Sequence, residues 1–427
     1  MQRVLLVGAG KIGGTIASFL ARCGDYDVRV ADADDASLRR VAETARVETV
    51  KVNADDVAAL HRAAAGRDVI VSATSFALNP AIASVALGVG ASYFDLTEDR
   101  QTTAAVRHIA REAAPGQVFM PQCGLAPGFV SIAAHHLTHG FDRIDEVRMR
   151  VGALPQFPTN EMKYNLTWST DGLINEYGNP CEAVHEGRQI ETLPLEGLEH
   201  FSLDGIDYEA FNTSGGVGTL CETLAGRVRT LNYKTIRYRG HRDLMTFLLN
   251  ELRMNDDRAT LKAILERAVP VTVQDVVLIF CTVSGWRDGK LIQQTDARKI
   301  YHGECFGGQY SAIQITTAGS LCAALDLWAY GRLPDRGFIR QEDIRLDDFL
   351  ANRFGASYAC DAPDVPVKNG SSVKEGATVK EGASAVQGSR NGVEHHAEVA
   401  EAQARPAPKG GAKPTPKGGK GRGHQRH

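Results

Sequence analysis

The stretch that decides the fold is MQRVLLVGAGKIGG, residues 1–14. Its apolar run, residues 4–7, predicts one buried strand, and glycines follow at positions 8, 10 and 13 with the spacing G-x-G-x-x-G. In such a turn Gly8 lets the backbone reverse, Gly10 leaves room for a pyrophosphate, and Gly13 lets the next helix pack close to the strand. The pyrophosphate would lie at the helix N-terminus, where unpaired N–H groups favour negative charge. The stretch therefore predicts a dinucleotide-binding turn.

The next strand, residues 28–31, ends in Asp32. An acid about 20 residues after the glycine motif is placed to accept hydrogen bonds from the adenosine ribose hydroxyls. A carboxylate there favours NAD over NADP, because it repels a 2′-phosphate. Arg29, Arg39 and Arg40 lie close by in the sequence, so NADP stays the alternative cofactor.

Strands and helices alternate over the first 125 residues. Apolar runs predict six strands, at residues 4–7, 28–32, 47–52, 68–73, 91–96 and 117–122. This order predicts an α/β fold with a doubly wound parallel sheet, a Rossmann domain, that binds its ligands at the carboxyl ends of the strands.

The loops at those strand ends hold the expected cofactor contacts. The loop after the fourth strand passes near the nicotinamide ribose in this fold, and Ser72 and Thr74 supply polar atoms there. Asp55 can either touch the adenine edge or cap the following helix. The predicted cofactor-binding residues are Gly8, Gly10, Lys11, Ile12, Gly13, Asp32, Asp55, Ser72, Ala73 and Thr74.

Two further strand ends face the same cleft. The fifth strand ends in the polar loop of residues 97–99, and the sixth is followed by Cys123. Cys123 could lie beside the nicotinamide as a catalytic group. Alternatively it is a small buried residue that fills the strand end.

The pattern changes after residue 145. Alternating apolar residues predict a second, α+β domain with a mainly antiparallel sheet. Helical spacing returns at residues 316 and 342. We therefore expect a cofactor domain at 1–125, a substrate and oligomerisation domain at 126–315, and C-terminal helices at 316–358 that pack back on the first domain. Residues 361–427 contain almost no large apolar side chains, which predicts a disordered tail.

Composition excludes several classes of protein. A net charge of -3 over 427 residues gives no reason to expect nucleic acid or an anionic membrane as a partner. No apolar run approaches the ~18 residues of a membrane span, and a strand at the very N-terminus predicts no signal peptide. The eight cysteines are spread singly, without zinc spacing. We therefore expect reduced thiols, no metal and a cytoplasmic protein.

Six sequence blocks resemble the saccharopine dehydrogenase-like oxidoreductases, which include lysine 6-dehydrogenase and its relatives. In chain order they are VGAGKIGG, CGLAPGFV from Cys123, YNLTWSTDGLINEY from Tyr164, EAFNTSGGVGTL from Glu209, YKTIRYRGH from Tyr233 and ITTAGSL from Ile315. The resemblance covers roughly residues 1–355. It implies a Rossmann domain, a second domain that binds substrate and forms a homo-oligomer, and hydride transfer at a carbon–nitrogen bond of a small amino acid.

Oxidation of a C–NH group needs a neutral amine, a hydride acceptor and a base. The carboxylate of an amino acid is best held by arginine. Arg237 is the first candidate and Arg239 the second, since alternate residues of a strand share a face. His241 could be the base, because its ordinary pKa lies near neutrality; the alternative is a histidine in a surface turn.

Other polar residues complete the expected site. Thr213 and Ser214 could bind a carboxylate or an amine, or they could cap a helix. The polar and aromatic block at residues 164–177 is typical of a pocket wall or a subunit interface, and its substrate-binding candidates are Asn165 and Trp168. Glu176 or Asp171 could bind a substrate ammonium group.

The catalytic candidates are therefore His241, Cys123 and Glu176. The predicted function is NAD(P)-dependent oxidation of an amino-acid CH–NH bond, either deamination of the lysine ε-carbon or cleavage or formation of saccharopine. The alternative is a redox sensor that binds NAD(H) without turnover. The many polar residues of the second domain favour the enzyme, because a sensor needs no substrate pocket.

Overall fold

The computed structural model describes residues 1–359. The tail predicted for residues 361–427 lies outside the described residues. The strands are β1 (Gln2–Val7), β2 (Tyr26–Asp32), β3 (Glu48–Lys51), β4 (Val69–Ser72), β5 (Ser92–Asp95), β6 (Val118–Met120), β7 (Arg143–Pro155), β8 (Cys181–His185), β9 (Arg188–Thr192), β10 (Glu199–Leu203), β11 (Ile206–Asn212), β12 (Val228–Tyr238), β13 (Asp275–Arg287), β14 (Lys290–Tyr301), β15 (Gly303–Cys305), β16 (Gly308–Tyr310) and β17 (Gly337–Phe338).

The helices fall mainly between the strands of the first sheet and after β7. They are α1 (Lys11–Cys23), α2 (Asp35–Ala45), α3 (Val57–Ala64), α4 (Asn79–Val89), α5 (Arg100–Ile109), α6 (Phe129–Leu137), α7 (Thr170–Gly178), α8 (Leu220–Leu224), α9 (His241–Thr246), α10 (Arg258–Ala268), α11 (Ala312–Ala329) and α12 (Leu346–Ala351). None of these helices combines the length and the apolar character that crossing a membrane requires.

The first sheet is parallel and has the strand order β17-β6-β5-β4-β1-β2-β3. The chain order reverses beside β1, which is where doubly wound sheets bind ligands. The predicted Rossmann sheet of six strands is confirmed. The seventh strand, β17, pairs with β6 at the edge, and its two residues are too few to be recognised as an apolar run.

The second sheet is mixed, with the order β10-β11-β12-β7-β13-β14 and with β8 and β9 attached to β12. Its pairs are antiparallel except for β12 and β7, which run parallel. A parallel pair needs a crossover rather than a hairpin, and here the chain between β7 and β12 supplies it. The sequence predicted the antiparallel character but not this parallel pair.

Helix α11 joins the two sheets. It packs against α1 and β13, and most of its residues are buried. Its first residue is Ala312 rather than the expected Thr316, because Ser311 and Gln314 form a capping box one turn earlier. One apolar core contains residues of β1, β7, β13 and α11. The carboxyl edge of the first sheet is therefore fixed against the second sheet.

Candidate active site

The nucleotide turn is built by glycines in contact with backbone. Gly8 has φ +104, and a Cβ added there would lie 2.6 Å from the Ala73 carbonyl oxygen. A Cβ on Gly13 would lie 2.0 Å from the Gly8 carbonyl oxygen, so α1 packs directly on the turn. Gly10 is different: it caps α1 without a side-chain hydrogen bond, and no described atom lies within 4 Å of the Cβ that it lacks. This open cradle at a helix N-terminus fits the pyrophosphate of a dinucleotide.

Asp32 lies at the end of β2 beside this turn. Its Oδ2 accepts a hydrogen bond of 2.6 Å from the Ala9 N–H, and its Oδ1 accepts one from Asp34. Arg40 donates to the Ala9 carbonyl at 3.3 Å, so a cation also reaches the turn. The carboxylate that suits NAD and a cation that could meet a 2′-phosphate are therefore neighbours.

Asp55 and Ser72 are two further residues that were predicted to contact the cofactor. Asp55 follows β3, but the cap of α3 is Asp56, whose carboxylate accepts from the Ala59 N–H at 2.9 Å. The helix-cap alternative for Asp55 is therefore wrong. Ser72 is buried, and its hydroxyl lies 2.7 Å from Asn79 Oδ1 and 2.9 Å from the Thr74 hydroxyl.

A cavity of about 210 Å³ opens where the carboxyl ends of β4, β5 and β6 meet β7, α7 and β12. We call it the Arg237 cavity. The predicted site residues Ile12, Ala73, Thr74, Trp168, Glu176 and Arg237 all line it, together with Glu98, Asp171, Tyr233 and Thr235. The fold thus brings the nucleotide side and the second domain to one place.

Strand periodicity explains the wall that β12 contributes. Tyr233, Thr235 and Arg237 line the Arg237 cavity, since alternate side chains of a strand share a face. Arg239 does not continue the series, because β12 ends at Tyr238. Its half-exposed guanidinium instead lies 3.7 Å from Asp207, away from the residues that line the cavity.

Arg237 is a buried cation, with 3 % of its surface exposed. Its Nε donates to the Tyr177 hydroxyl at 2.8 Å, and its Nη1 donates to the Ile236 carbonyl at 2.9 Å. The guanidinium also lies over the rings of Tyr164 and Tyr177. Among the described residues no carboxylate forms an ion pair with it, and no acceptor bonds its Nη2. A buried guanidinium that lacks a directly bonded carboxylate is costly, which points to an anionic ligand.

His241 is fully buried behind Arg237 and does not line the cavity. Its Nδ1 lies 2.9 Å from the Met162 carbonyl and its Nε2 lies 3.1 Å from the Tyr177 hydroxyl. A carbonyl only accepts, so we assign the proton to Nδ1, and Nε2 accepts from Tyr177. Burial and the nearby Arg237 lower the pKa of His241 to about 3. The surface-turn alternative is wrong, and the geometry favours a role in holding Tyr177 over the predicted role as base.

Three carboxylates line the cavity, Glu98, Asp171 and Glu176, and the pKa of two of them is raised. Burial raises the pKa of Glu176 to about 8; Arg237 opposes this shift and Glu98 adds to it. Burial also raises the pKa of Glu98 to about 7. Groups with such values can exchange protons near neutral pH. Glu98 was not among the predicted site residues; its only signal in the sequence is the polar loop after the fifth strand.

The remaining predicted substrate-binding residues, Thr213, Ser214 and Asn165, do not line the Arg237 cavity. Thr213 is buried, and its hydroxyl lies 2.8 Å from that of Thr235. Ser214 donates its N–H to the Glu176 carbonyl at 2.9 Å. Neither caps a helix, because α8 begins later, after Thr219. Asn165 is buried outside the lining, and its Oδ1 has no hydrogen-bond partner within residues 1–359.

The side chains of Cys123 and Lys11 both form hydrogen bonds with other parts of the protein. The Cys123 thiol is fully buried, donates to the Met120 carbonyl at 3.0 Å and accepts from Gln341. Burial raises its pKa well above the ordinary value, so its position favours packing over catalysis. The Lys11 ammonium donates to the Thr167 carbonyl at 3.0 Å, which links the nucleotide turn to the segment before Trp168.

In the part of the chain that the structure describes, no group of three or more His, Cys, Asp or Glu side chains is arranged to hold a metal ion.

Among solved structures, the chain is similar to a saccharopine dehydrogenase (L-Glu forming) from Saccharomyces cerevisiae, with a TM-score of 0.67 and 16% identity over 84% of this chain and 96% of that one. A myo-inositol dehydrogenase from Corynebacterium glutamicum matches with a TM-score of 0.42 and 14% identity, over 80% of this chain and 92% of that one.

Family comparison covers most of the described chain. The saccharopine dehydrogenase NADP binding domain matches residues 4–118, and the saccharopine dehydrogenase C-terminal domain matches residues 124–354. Together with the open nucleotide turn, these matches identify an oxidoreductase that acts on an amino acid and uses NAD(P). The chain belongs to the saccharopine dehydrogenase family.

Proposed function

We propose that this protein oxidises a CH–NH bond of an amino acid with NAD(P)⁺, with the ε-amine of lysine as the first candidate and saccharopine as the second. The observation that carries the proposal is Arg237, a buried cation without a carboxylate partner among the described residues, in a cavity that it shares with Glu98 and Glu176. An amino acid brings the missing carboxylate and, at its amine, a proton for an acid–base group to take.

Arg237 is oriented before substrate arrives. Tyr177 and the Ile236 carbonyl hold its Nε and one hydrogen of Nη1. Nη2 and the second hydrogen of Nη1 remain for a carboxylate, and a guanidinium binds carboxylates through two such parallel bonds. Less side-chain freedom is then lost on binding, because the tyrosine and the strand have already fixed the arginine.

The charge balance of the cavity favours a substrate with one carboxylate and a basic nitrogen. Asp171 is neutralised from outside by Lys262 at 2.6 Å. This leaves one cation, Arg237, facing two acids, Glu98 and Glu176. Saccharopine carries carboxylates on both arms, and the lining offers one arginine for them. Lysine matches the lining better.

Glu176 is our candidate for the base. For a primary amine the overall change is R–CH₂–NH₃⁺ + NAD(P)⁺ + H₂O → R–CHO + NAD(P)H + NH₄⁺ + H⁺. When bound, the nicotinamide accepts the hydride. The Glu176 carboxylate takes a proton from the ammonium before the carbon is oxidised and then releases it, which accounts for the one net proton. It next takes a proton from the water that attacks the iminium carbon and returns that proton to the nitrogen, which leaves as ammonium when it also takes the proton of the new hydroxyl group.

The nucleotide would be held by the turn of Gly8, Gly10 and Gly13, by Asp32, and by Ala73 and Thr74 at the end of β4. We expect NAD⁺ to be preferred because Asp32 stands where a 2′-phosphate would lie. Arg40 beside the turn makes NADP⁺ the necessary comparison.

The test is the absorbance of reduced nicotinamide at alkaline pH with lysine, saccharopine and norleucine, each with NAD⁺ and NADP⁺. Norleucine is the control because it has the carbon chain of lysine without the ε-nitrogen. We expect a signal with lysine alone. A signal with saccharopine alone would assign the protein to secondary amines. Silence with both substrates, while NADH still binds, would contradict the proposal and favour the sensor.

A further inference from the structure

A second cavity lies behind the Arg237 cavity. It has a volume of about 560 Å³ and is mostly polar. We call it the Asn175 cavity. Its lining includes Asp99, Gln122, Asn175, Ser214 and Thr219. Its arginines are already paired: Arg100 bonds Glu182 and Glu191, and Arg107 bonds Glu222. With its cations neutralised, this space suits water better than an anionic ligand.

Two adjacent pairs of residues form the wall between the cavities. In the loop after β5, Glu98 lines the Arg237 cavity and Asp99 lines the Asn175 cavity. In α7, Glu176 lines the former and Asn175 the latter. Successive residues of a helix point about 100° apart, which explains the second pair. The loop after β5 and helix α7 therefore each place a glutamate in the Arg237 cavity and a polar side chain in the Asn175 cavity.

Glu98 lies in the wall between the two cavities: it lines the Arg237 cavity, while Asp99 and Asn175 line the Asn175 cavity. It is half-buried, whereas Glu176 is buried. Its charge acts on Glu176, and the amide of Asn175 stabilises its ionised form. The Asn175 Oδ1 already accepts from Asn179 Nδ2, so its own amide nitrogen is the group left to face Glu98. The loop at Gly215 packs on the Glu98 backbone, where an added Cβ would lie 2.6 Å from the Glu98 carbonyl oxygen.

The reaction creates a need for such a connection. Each turnover of the proposed oxidation releases one net proton inside the site. Bound substrate and nicotinamide would occupy the Arg237 cavity and would obstruct the path from Glu176 to bulk water on that side. A proton on Glu176 needs another exit before the carboxylate can act again.

We propose that Glu98 is a proton-shuttle residue, which takes the proton from Glu176 and delivers it to water in the Asn175 cavity. Asn175 is the positioning residue of this step. The proton moves from one carboxyl to the other carboxylate, and from there to a water that passes it to solvent; no bond other than O–H changes. The groups that face Glu98 are Asp95 and Asp99 on its own strand and loop, Glu176 and Asn175 on α7, and Arg237 across the cavity. The inference rests on the proposed function.

The experiment compares wild type, Glu98→Gln and the matched control Glu222→Gln, a carboxylate at the rim of the Asn175 cavity that is paired with Arg107. In weakly buffered solution we expect Glu98→Gln to lower kcat roughly 10- to 100-fold, toward the low end of acid–base effects. The binding of NADH should change less than about 2-fold, since a glutamine keeps the shape of the side chain. Glu222→Gln should match wild type.

Chemical rescue separates a shuttle from a structural role. Adding imidazole, a small proton carrier, should restore most of the lost kcat in Glu98→Gln and should leave wild type unchanged. Equal kcat for wild type and Glu98→Gln, or a loss that imidazole does not relieve, would overturn the shuttle while the proposed function stands. Failure of wild type to turn over either substrate would overturn the proposed function and the shuttle with it.

Discussion

The nucleotide turn and the Arg237 cavity are built in opposite ways. The turn works through side chains that are absent: Gly8 and Gly13 let backbone touch backbone, and Gly10 leaves a cradle open. The cavity works through side chains that converge from separate elements, with Glu98 from the loop after β5, Glu176 from α7 and Arg237 from β12. One depends on spacing within six residues, the other on the assembly of two sheets.

This difference decides how each region responds to change. A methyl group on Gly8 or Gly13 meets rigid backbone, so its effect is steric and immediate. A change in the cavity leaves the chain room to fold and alters charge, proton affinity or orientation instead. The two regions can therefore be separated by measuring stability and nucleotide binding alongside turnover.

The largest effect is expected from Gly13→Ala. Its Cβ would lie 2.0 Å from the Gly8 carbonyl, so α1 must move away from the sheet. We expect loss of NADH binding together with a lower Tm, measured by fluorescence titration and thermal unfolding.

Gly10→Ala is the matched variant, because its Cβ meets open space among the described residues. It should keep the Tm of the free protein and still weaken NADH binding at least about 10-fold, since the methyl group occupies the pyrophosphate position. An unchanged Tm for Gly13→Ala would contradict this account of the turn.

The next effect is the loss of the buried cation in Arg237→Ala. We expect kcat/KM for the amino acid to fall about 10²- to 10³-fold, because the substrate carboxylate loses a buried charge-assisted contact. NADH binding should stay within about 2-fold of wild type. Arg239→Ala provides the comparison: its guanidinium lies near Asp207 outside the cavity, and its kcat/KM should change little. A larger loss in Arg239→Ala than in Arg237→Ala would reverse our assignment of the two arginines.

The sequence predicted the nucleotide turn better than the Arg237 cavity. The parallel sheet, the turn and Asp32 could be recognised because each depends on residues close together in the chain. Glu98 could not, since a single acid in a polar loop acquires a raised pKa only when the folded chain buries it. His241 shows the converse: its residue type suggested a base, but complete burial and two hydrogen bonds remove it from the cavity lining. Burial and long-range contacts determine the proton affinity of a side chain, and the spacing of residues along the chain predicts neither of them.

A third test uses pH and Glu176→Gln. Because the pKa of Glu176 is raised to about 8, its carboxylate form becomes predominant only above that pH. The kcat/KM of amine oxidation in wild type should therefore rise as pH increases through about 8. Glu176→Gln should lose about 10²-fold or more in kcat at pH 9 and should not show this rise, as the pH–rate profile would record.

Stability provides the control for that variant. The pKa of Glu176 is raised from the ordinary 4.5 to about 8, so the folded protein binds the additional proton between these values. The contribution to stability is complete below 4.5 and is lost as pH rises through 8. Wild type should thus lose Tm between pH 6 and pH 9 more steeply than Glu176→Gln. A steeper loss in the variant would contradict the burial of this carboxyl.

The smallest effect is expected from His241→Phe, which keeps an aromatic ring and removes both ring nitrogens. Tyr177 would lose the acceptor for its hydroxyl, and a buried unpaired donor costs about 1–3 kcal/mol. Arg237 would keep its strand contact but lose part of its orientation, so kcat/KM should fall about 10-fold through KM. The rise of activity through about pH 8 should remain, because Glu176 and not His241 titrates there. Loss of that rise together with a fall in kcat of about 10²-fold would instead make His241 the base. The same pH–rate measurement therefore decides between a residue that carries the proton and one that holds the arginine in place.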